Sequence, residues 1–523
     1  MTAAGGLARA GLVVSGAFLV SRLLGWVRLV VIADTFGASA DLDAFFAAFR
    51  IPDLIFQLVA AGALSSALIP VVSGLLANDE DARAWHVVST VISLMLCALA
   101  ILAGVLFVLA PAVMPAITPG FGQAQLDRTV GLTRIMLLSP IFLSMGAVAT
   151  SALNAGGRFA ASAIAPIVYN LAIIGGAVLL APTFGVTGLA IGVVAGSLGH
   201  LLVQVRPLSR LGFRFEPRID WDVPHARQAL LLMVPRAFGL GAGQITFIVV
   251  TALASTLGTG AVSDFNIAFT LLQIPIGVIG VPLGIVLLPS LSRATAVGRE
   301  LDFADLVTKA LRLLLFVMIP IAGLVAVLRR PVIDVLFGGG KISDPNLDMI
   351  ATTLLWFLTG LAAHALIAVL ARAFYARQDT LTPVLAAVAA VALNCSLAVV
   401  LVGPLGLSGI ALAIAVAAWM EAILLLAVLR GRLPHLRLRA LGRVSVEALA
   451  GTLVAGGIAI GVAALFDRLI GADAGRLALI VECIVVTLAF GLAFATVSVV
   501  LQIPELASIV EVMVDVIRRP FRR

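Results

Sequence analysis

The sequence predicts an all-α polytopic membrane protein: about fourteen transmembrane helices, in two six-helix lobes of parallel repeat plus two C-terminal helices. Three observations predict it. Of 523 residues, 62% are hydrophobic and 12% charged, with a mean hydropathy of +1.17, whereas a soluble domain carries about 25% charged residues. Apolar runs of about 20 residues, the length that crosses a bilayer, recur from end to end. Related segments return after about 220 residues.

In order, spans are expected at 10–34, 42–76, 85–115, 129–153, 161–182, 186–206, 227–257, 262–292, 304–328, 347–374, 381–402, 405–429, 444–466 and 475–501. The opening MTAAGGLARAG runs into a segment too long for a signal h-region and shows no cleavage site, so no secretory leader is expected. The end of the chain, VEVMVDVIRRPFRR, reads as an interfacial amphipathic helix with a basic end, within a tail at 502–523.

Loop charge sets the orientation. With a cytoplasmic N-terminus, Arg206, Arg210, Arg214, Arg218 and Arg227 follow span six, Arg293 and Arg299 follow span eight, and Arg430, Arg432, Arg437, Arg439 and Arg443 follow span twelve. The positive-inside rule then places both termini in the cytoplasm. The acidic NDEDAR at 78–83 and the outer stretch with Arg329, Arg330 and Lys341 fit less well. The net charge of +7 comes almost entirely from arginine; a high isoelectric point in such a protein reflects cytoplasmic loops and headgroup contacts, not nucleic acid. Cys97, Cys395 and Cys483 lie in apolar segments without metal or disulfide spacing.

The repeat is visible in GVTGLAIGVVA at 185–195 against GLSGIALAIAV at 406–416, in Ala152–Ala155 against Ala373–Ala376, and in IPVVSGLL at 69–76 against LPSLSRAT at 288–295. An even number of spans between copies preserves orientation, so the repeats are parallel and predict two lobes facing a central cavity. Spans thirteen and fourteen lie outside the repeat.

The first span carries two arginines, Arg22 and Arg28, with Ser21 beside them. An arginine at the bilayer centre costs about 2.5–3.5 kcal/mol even on insertion scales, so each must face something polar. They stand about 9 Å and about 120° apart on a straight helix; Gly25 between them would permit a bend toward one lumen. Such a pair suits a diphosphate, which arginine binds bidentately; the bland alternative is snorkelling or pairing with acids. In span two, Asp43 and Arg50 lie a heptad apart on one face, and Asp53 follows Pro52. Asp43 would pair with a span-one arginine as an outer gate or balance its charge, and Arg50 and Asp53 are further candidates for gating or charge pairing. Pro52 and Pro70 should distort this span. Arg236, opening span seven, would line the cavity from the second lobe or anchor at the interface.

Asp379, in YARQDTLTP, fits a helix cap, or with Asn394 a cation site. Glu421, Glu447, Glu482 and His364 are intramembrane or nearly so, each a candidate proton carrier. No Walker A loop, HExxH or GxSxG occurs. No metal site or cofactor is expected, and coupling would be to membrane potential or a monovalent cation.

SRLLGWVR, TFGASADLDAFFAAFRIPDL and AAGALSSALIPVVS resemble the N-terminal signature of the MurJ (MviN) family, lipid II flippases within the MOP transporter superfamily. TPGF at 118–121, ALNAGGRFAASAIAP at 152–166, GVPLGIVLLPSLS at 280–292 and FYARQDTLTP at 374–383 extend the resemblance over the whole chain. It implies a transporter, not an enzyme: a flippase carrying lipid II from the inner to the outer leaflet of the bacterial cytoplasmic membrane by alternating access. Its partners would be lipid II or a related polyprenyl-diphosphate glycolipid, membrane lipids and cell-wall synthesis proteins. The implied plan is an N-lobe at 1–206, a cytoplasmic linker at 207–226, a C-lobe at 227–430, a basic linker at 431–443, a groove for the lipid tail at 444–501, and the tail. Arg22, Arg28 and Asp43 match charged cavity residues of the family.

Two departures stand out. Where the family often has a basic pair and then an acid after the span-two proline, this chain has Phe56, Gln57 and Ala61; where it has an arginine in span eight, this chain has Phe269-Thr270. Either Arg236 partly compensates, or the chain carries a different polyprenyl-diphosphate glycolipid. An exporter of cationic drugs should prefer acidic cavity residues, and a membrane-embedded glycosyl or prenyl transferase needs acidic metal ligands that do not assemble here. A non-transporting scaffold would tolerate loss of both span-one arginines.

Overall fold

The computed structural model describes residues 3–59, 63–217, 220, 241, 243–470, 475–507 and 511. These residues form helices and connecting turns, without strands. In chain order the helices are α1 (Ala3–Phe36), α2 (Ala40–Val59), α3 (Ala63–Ala77), α4 (Asp81–Ile117), α5 (Gln123–Met136), α6 (Leu138–Ala155) and α7 (Phe159–Gly175). A π turn at Gly176–Leu180 leads into the short α8 (Ala181–Phe184), then α9 (Val186–Ser209) and α10 (Gly243–Ser255). After these come α11 (Ala261–Pro275), a second π turn at Ile276–Gly280, α12 (Val281–Ala296), α13 (Glu300–Phe337), α14 (Asp344–Leu358), α15 (Leu361–Ala376), α16 (Leu381–Arg432), α17 (Leu438–Ile470) and α18 (Arg476–Val500).

Among the described residues, nine helices are long and apolar enough to cross a membrane, or ten if the bent pair α14–α15 counts as one span. The helix α16 enters that number once, although Gly406 divides it. The chain is thus a multi-pass helical membrane protein; the expected count of fourteen goes beyond these nine or ten. Pro52 and Pro70 sit inside α2 and α3 without ending either helix.

The chain forms two compact units, Met1–Ser263 with Gly340–Ser343, and Asp264–Gly339 with Asp344–Arg523. The first takes in α10, which the repeat alone would give to the second lobe. The cause is local, since polar side chains of α2 bond directly to α10 and to the turn after it. One core of this unit gathers Leu68, Val88, Val148 and Leu153, and a second gathers Ile32, Leu42, Phe45 and Leu189. Gly37 ends α1 at φ 65°, and a β-carbon there would lie 2.5 Å from the carbonyl oxygen of Lys341.

In the second unit, α17 and α18 pack on α13 through Leu328, Ala455, Ala459, Val486 and Phe490. Gly323 of α13 lets α17 approach, since a β-carbon would lie 2.2 Å from the Thr452 methyl; small residues commonly serve close helix packing in membranes. Arg330, one of the outer-stretch cations that strained the orientation rule, is held by Asp334 at 2.9 Å, Asp348 at 2.6 Å and Asp344 at 3.2 Å.

The repeat read from the sequence has a backbone counterpart. Gly185 opens α9 at φ 56°, ψ −142°, and Gly406 breaks α16 at φ 57°, ψ −136°. Three residues on, Gly188 and Gly409 both turn a hydrogen where a β-carbon would strike the preceding helix, at Leu180 and Leu401. The helices α6 and α15 end at the repeat-related Ala155 and Ala376.

Candidate functional site

In the first unit, polar contacts join α7 to α1 and α2 to α10. Asn170 of α7 donates both amide hydrogens, to the carbonyl of Ser21 at 3.2 Å and to that of Pro166 at 3.0 Å. This pins α7 to α1 and uses the backbone of Ser21, not its hydroxyl. Arg28 lies two turns further along α1, which stays helical across Gly25. Arg22 is half-buried and has a partner of its own. Arg28 differs: among the described residues it makes neither a hydrogen bond nor an ion pair, and the Tyr169 phenol is the group within its electrostatic reach. A guanidinium with five unused donors inside a membrane unit is ready for an oxyanion.

Arg50 of α2 donates from Nε to the Thr251 hydroxyl at 2.8 Å and lies over the Phe247 ring, 5.2 Å from its centre. Its charge is opposed by Asp53, whose carboxylate also accepts from the side chains of Gln57 and Gln244. Arg50 and Asp53 therefore form a balanced pair, as the sequence reading allowed.

Asp43 is fully buried. Its carboxylate accepts from the Gly260 N–H at 2.6 Å, the Ser263 N–H at 2.8 Å and the Ser263 hydroxyl at 2.6 Å. It caps the start of the helix beginning at Ala261, where unpaired N–H groups and the helix dipole favour an anion. Sequence reasoning offered an arginine partner; the backbone donors at 260–263, far off in sequence, take that place. Asp43 and Arg50 do share a face, and both reach α10 or the turn after it.

Arg236 lies outside the described residues. Asp379 caps α16 through the Thr382 N–H at 2.9 Å and hydroxyl at 2.6 Å, and Arg432 closes on it at 2.5 Å. Burial alone raises the Asp379 carboxyl, but the bonds from Thr382 and Arg432 outweigh it and draw the pKa down to about 2. Asn394 is buried on the same helix with its side-chain oxygen unpartnered. It stands about 20 Å along the axis from the Asp379 turn, so the two do not form one cation site.

Tyr169, Gln57, Gln244, Thr251 and Ser263 were not anticipated. Two of them left a trace in the sequence: Gln57 as one of the two residues where the family often has a basic pair, and the Tyr169-Asn170 pair as a polar break in an apolar span.

An inward-facing multidrug resistance MATE family transporter of the MOP superfamily superposes with a TM-score of 0.67 at 15% identity, over 79% of this chain and 95% of that one. The chain thus shares the polytopic helical fold of that structure. A structure of the lipid II flippase MurJ in an inward closed conformation matches with a TM-score of 0.78 at 22% identity, over 94% of this chain and 100% of that one. The family model for lipid II flippase MurJ matches residues 32–473. Lipid II flippase MurJ of Burkholderia cenocepacia is 35% identical over 435 residues, 82% of this chain and 84% of that protein. A probable lipid II flippase MurJ of Vibrio cholerae is 31% identical over 464 residues, 86% and 88% of the two chains. The chain belongs to the MurJ family of lipid II flippases, which are transporters and not enzymes.

Proposed function

We propose that this protein carries lipid II from the inner to the outer leaflet of the bacterial cytoplasmic membrane by alternating access. The observation that carries the reading is Arg28, deep in the first unit with its donors unused. In this reading Arg28, with Arg22, holds the diphosphate, while the Arg50–Asp53 pair shapes the wall beside it. Asp43 acts as an outer latch: its carboxylate grips the turn at 260–263 and lets go when the outer side opens. The lobes would be 1–206 and 227–430, with the prenyl tail along 444–501 and both termini in the cytoplasm. Membrane potential or a monovalent cation resets the cycle, and the carrier works beside cell-wall synthesis proteins.

The test is rescue of a bacterial strain depleted of its own lipid II flippase. The parent chain should restore growth and Arg28→Ala should not, at equal membrane abundance. Rescue by Arg28→Ala would refute the assignment. One observation favours a second substrate: Phe56, Gln57 and Phe269-Thr270 make the lining less basic than the family's. A properly inserted parent that fails to rescue would point to another polyprenyl-diphosphate glycolipid.

A further inference from the structure

We propose that the second unit holds an acyl chain of an anionic phospholipid in the cavity between α13, α15, α16 and α17, with the lipid phosphate at Arg430. This site is separate from the cargo reading above and stands on its own observations.

The cavity encloses about 250 Å³. Leu311 of α13, Leu366 of α15, Trp419 and Ile423 of α16, and Leu441 and Gly442 of α17 are among its walls. Trp419 and Ser445 are the lining side chains with polar atoms, and both spend their hydrogens on backbone. The Trp419 indole donates to the Thr359 carbonyl at 2.8 Å, and the Ser445 hydroxyl to the Leu441 carbonyl at 2.9 Å. Water needs about two to four polar partners to settle in such a space, so the lining suits hydrocarbon. Gly442 leaves part of the room, since a β-carbon there would meet nothing within 4 Å.

The way in is from the bilayer. Ile423 and Leu438 line the cavity and are nevertheless exposed, so it opens on the surface of α16 and α17. Both helices are long and apolar enough to cross a membrane, and the hydrocarbon against such a surface is lipid chain. Apart from Ser445, the lining residues lie outside 444–501, the stretch read as the groove for the prenyl tail.

Charge selects the headgroup. The lining stripe of α16 at 419, 422, 423 and 426 continues one helical turn further to Arg430. Arg430 donates from Nη1 to the Leu433 carbonyl at 3.4 Å. Nearby in the chain, Arg432 and Arg443 are matched by Asp379 and Glu447, and Arg312, next to Leu311, by Glu505. Arg430, Arg437 and Arg439 meet no carboxylate among the described residues. Arginine binds phosphate through paired N–H groups, and a basic cluster at the end of a span attracts anionic lipid. A zwitterionic headgroup brings its own cation to that cluster; an anionic one does not.

The test is native mass spectrometry of the full chain in detergent, titrated with phosphatidylglycerol or phosphatidylcholine. The parent should bind phosphatidylglycerol about tenfold more tightly, the lower range for a hydrogen bond to a charged group. Gly442→Leu fills the cavity and should weaken both lipids about tenfold or more. Arg430→Gln should lower phosphatidylglycerol to the level of phosphatidylcholine and leave the latter unchanged. Gly461→Leu, on the same helix, outside the cavity and equally free of neighbours within 4 Å, should bind as the parent does.

Equal binding of the two lipids by the parent, or a preference that survives in Arg430→Gln, overturns the headgroup assignment. Parent-like binding by Gly442→Leu, or equal loss in Gly442→Leu and Gly461→Leu, overturns the cavity. Should Gly442→Leu fail to fold, Arg430→Gln still decides. Displacement of phosphatidylglycerol by undecaprenyl phosphate at lower concentration than by phosphatidylglycerol itself gives the cavity to the prenyl chain and also overturns the proposal.

Discussion

Replacing Asp43 by asparagine should loosen the junction between α2 and residues 260–263. The carboxylate uses both oxygens: Oδ2 takes the Gly260 N–H and Oδ1 takes the Ser263 N–H and hydroxyl. An asparagine keeps one acceptor and turns an NH2 group toward the Gly260 N–H, donor against donor. A hydrogen bond to a charged group contributes about 1.5–3 kcal/mol, and a charge at a helix start adds about 0.3–1 kcal/mol. The loss is therefore about 2–4 kcal/mol, or a shift of about 30- to 700-fold toward states with the cap broken. The assay is maleimide labelling of Ala47→Cys, one turn along α2 and fully buried, in a background lacking Cys97, Cys395 and Cys483. Asp43→Asn should speed labelling from the outer side and lower the melting temperature. Unchanged labelling and unchanged melting would show that the cap contributes nothing, and the latch would fall with it.

Arg28→Lys should rescue growth less well than the parent but better than Arg28→Ala, because an ammonium keeps the charge and loses the bidentate fork; equal rescue by lysine and arginine would remove the fork argument. Gly185→Ala and Gly406→Ala should each cost about 1–3 kcal/mol, since a β-carbon is strained at these backbone angles, read as lowered melting temperatures of similar size; a silent substitution at either would contradict the geometry. The Asp379–Arg432 pair should be sensitive to acid. A carboxyl held at about 2, below its usual 3.8, stabilises above the higher value and loses that contribution as pH falls through the lower. The melting-temperature advantage of the parent over Asp379→Asn should therefore be constant from pH 7 to about 5 and vanish toward about 2; a gap that widens in acid would reverse the sign.

Features set by local chemistry were legible in the sequence. The segments at 185–195 and 406–416 were legible as copies, and the glycines that open them, Gly185 and Gly406, adopt nearly the same angles. Asp379 was legible as a cap because the donors its carboxylate accepts from lie only three residues away. Partners far apart in sequence were not. Nothing local tells Asp43 that its donors sit at 260–263, and an apolar helix shows no stripe to say which side meets which neighbour. For the same reason Asn394 was paired with Asp379 by chemistry alone, although a straight helix keeps them apart. Arg28 was found because a cation in hydrocarbon demands an account; Tyr169 escaped because a phenol there does not.

The two copies of the repeat share a bend but not a chemistry. Where the first half has Tyr169 and Asn170 on α7, the same register of the second half holds Ala390 and Val391 of α16. The two copies keep the turn-forming glycines, whereas the Tyr169-Asn170 pair has no polar counterpart at that register of the second copy. If the first half grips the charged cargo as proposed, its twin would be free to change at this register so long as the turn at Gly406 is kept.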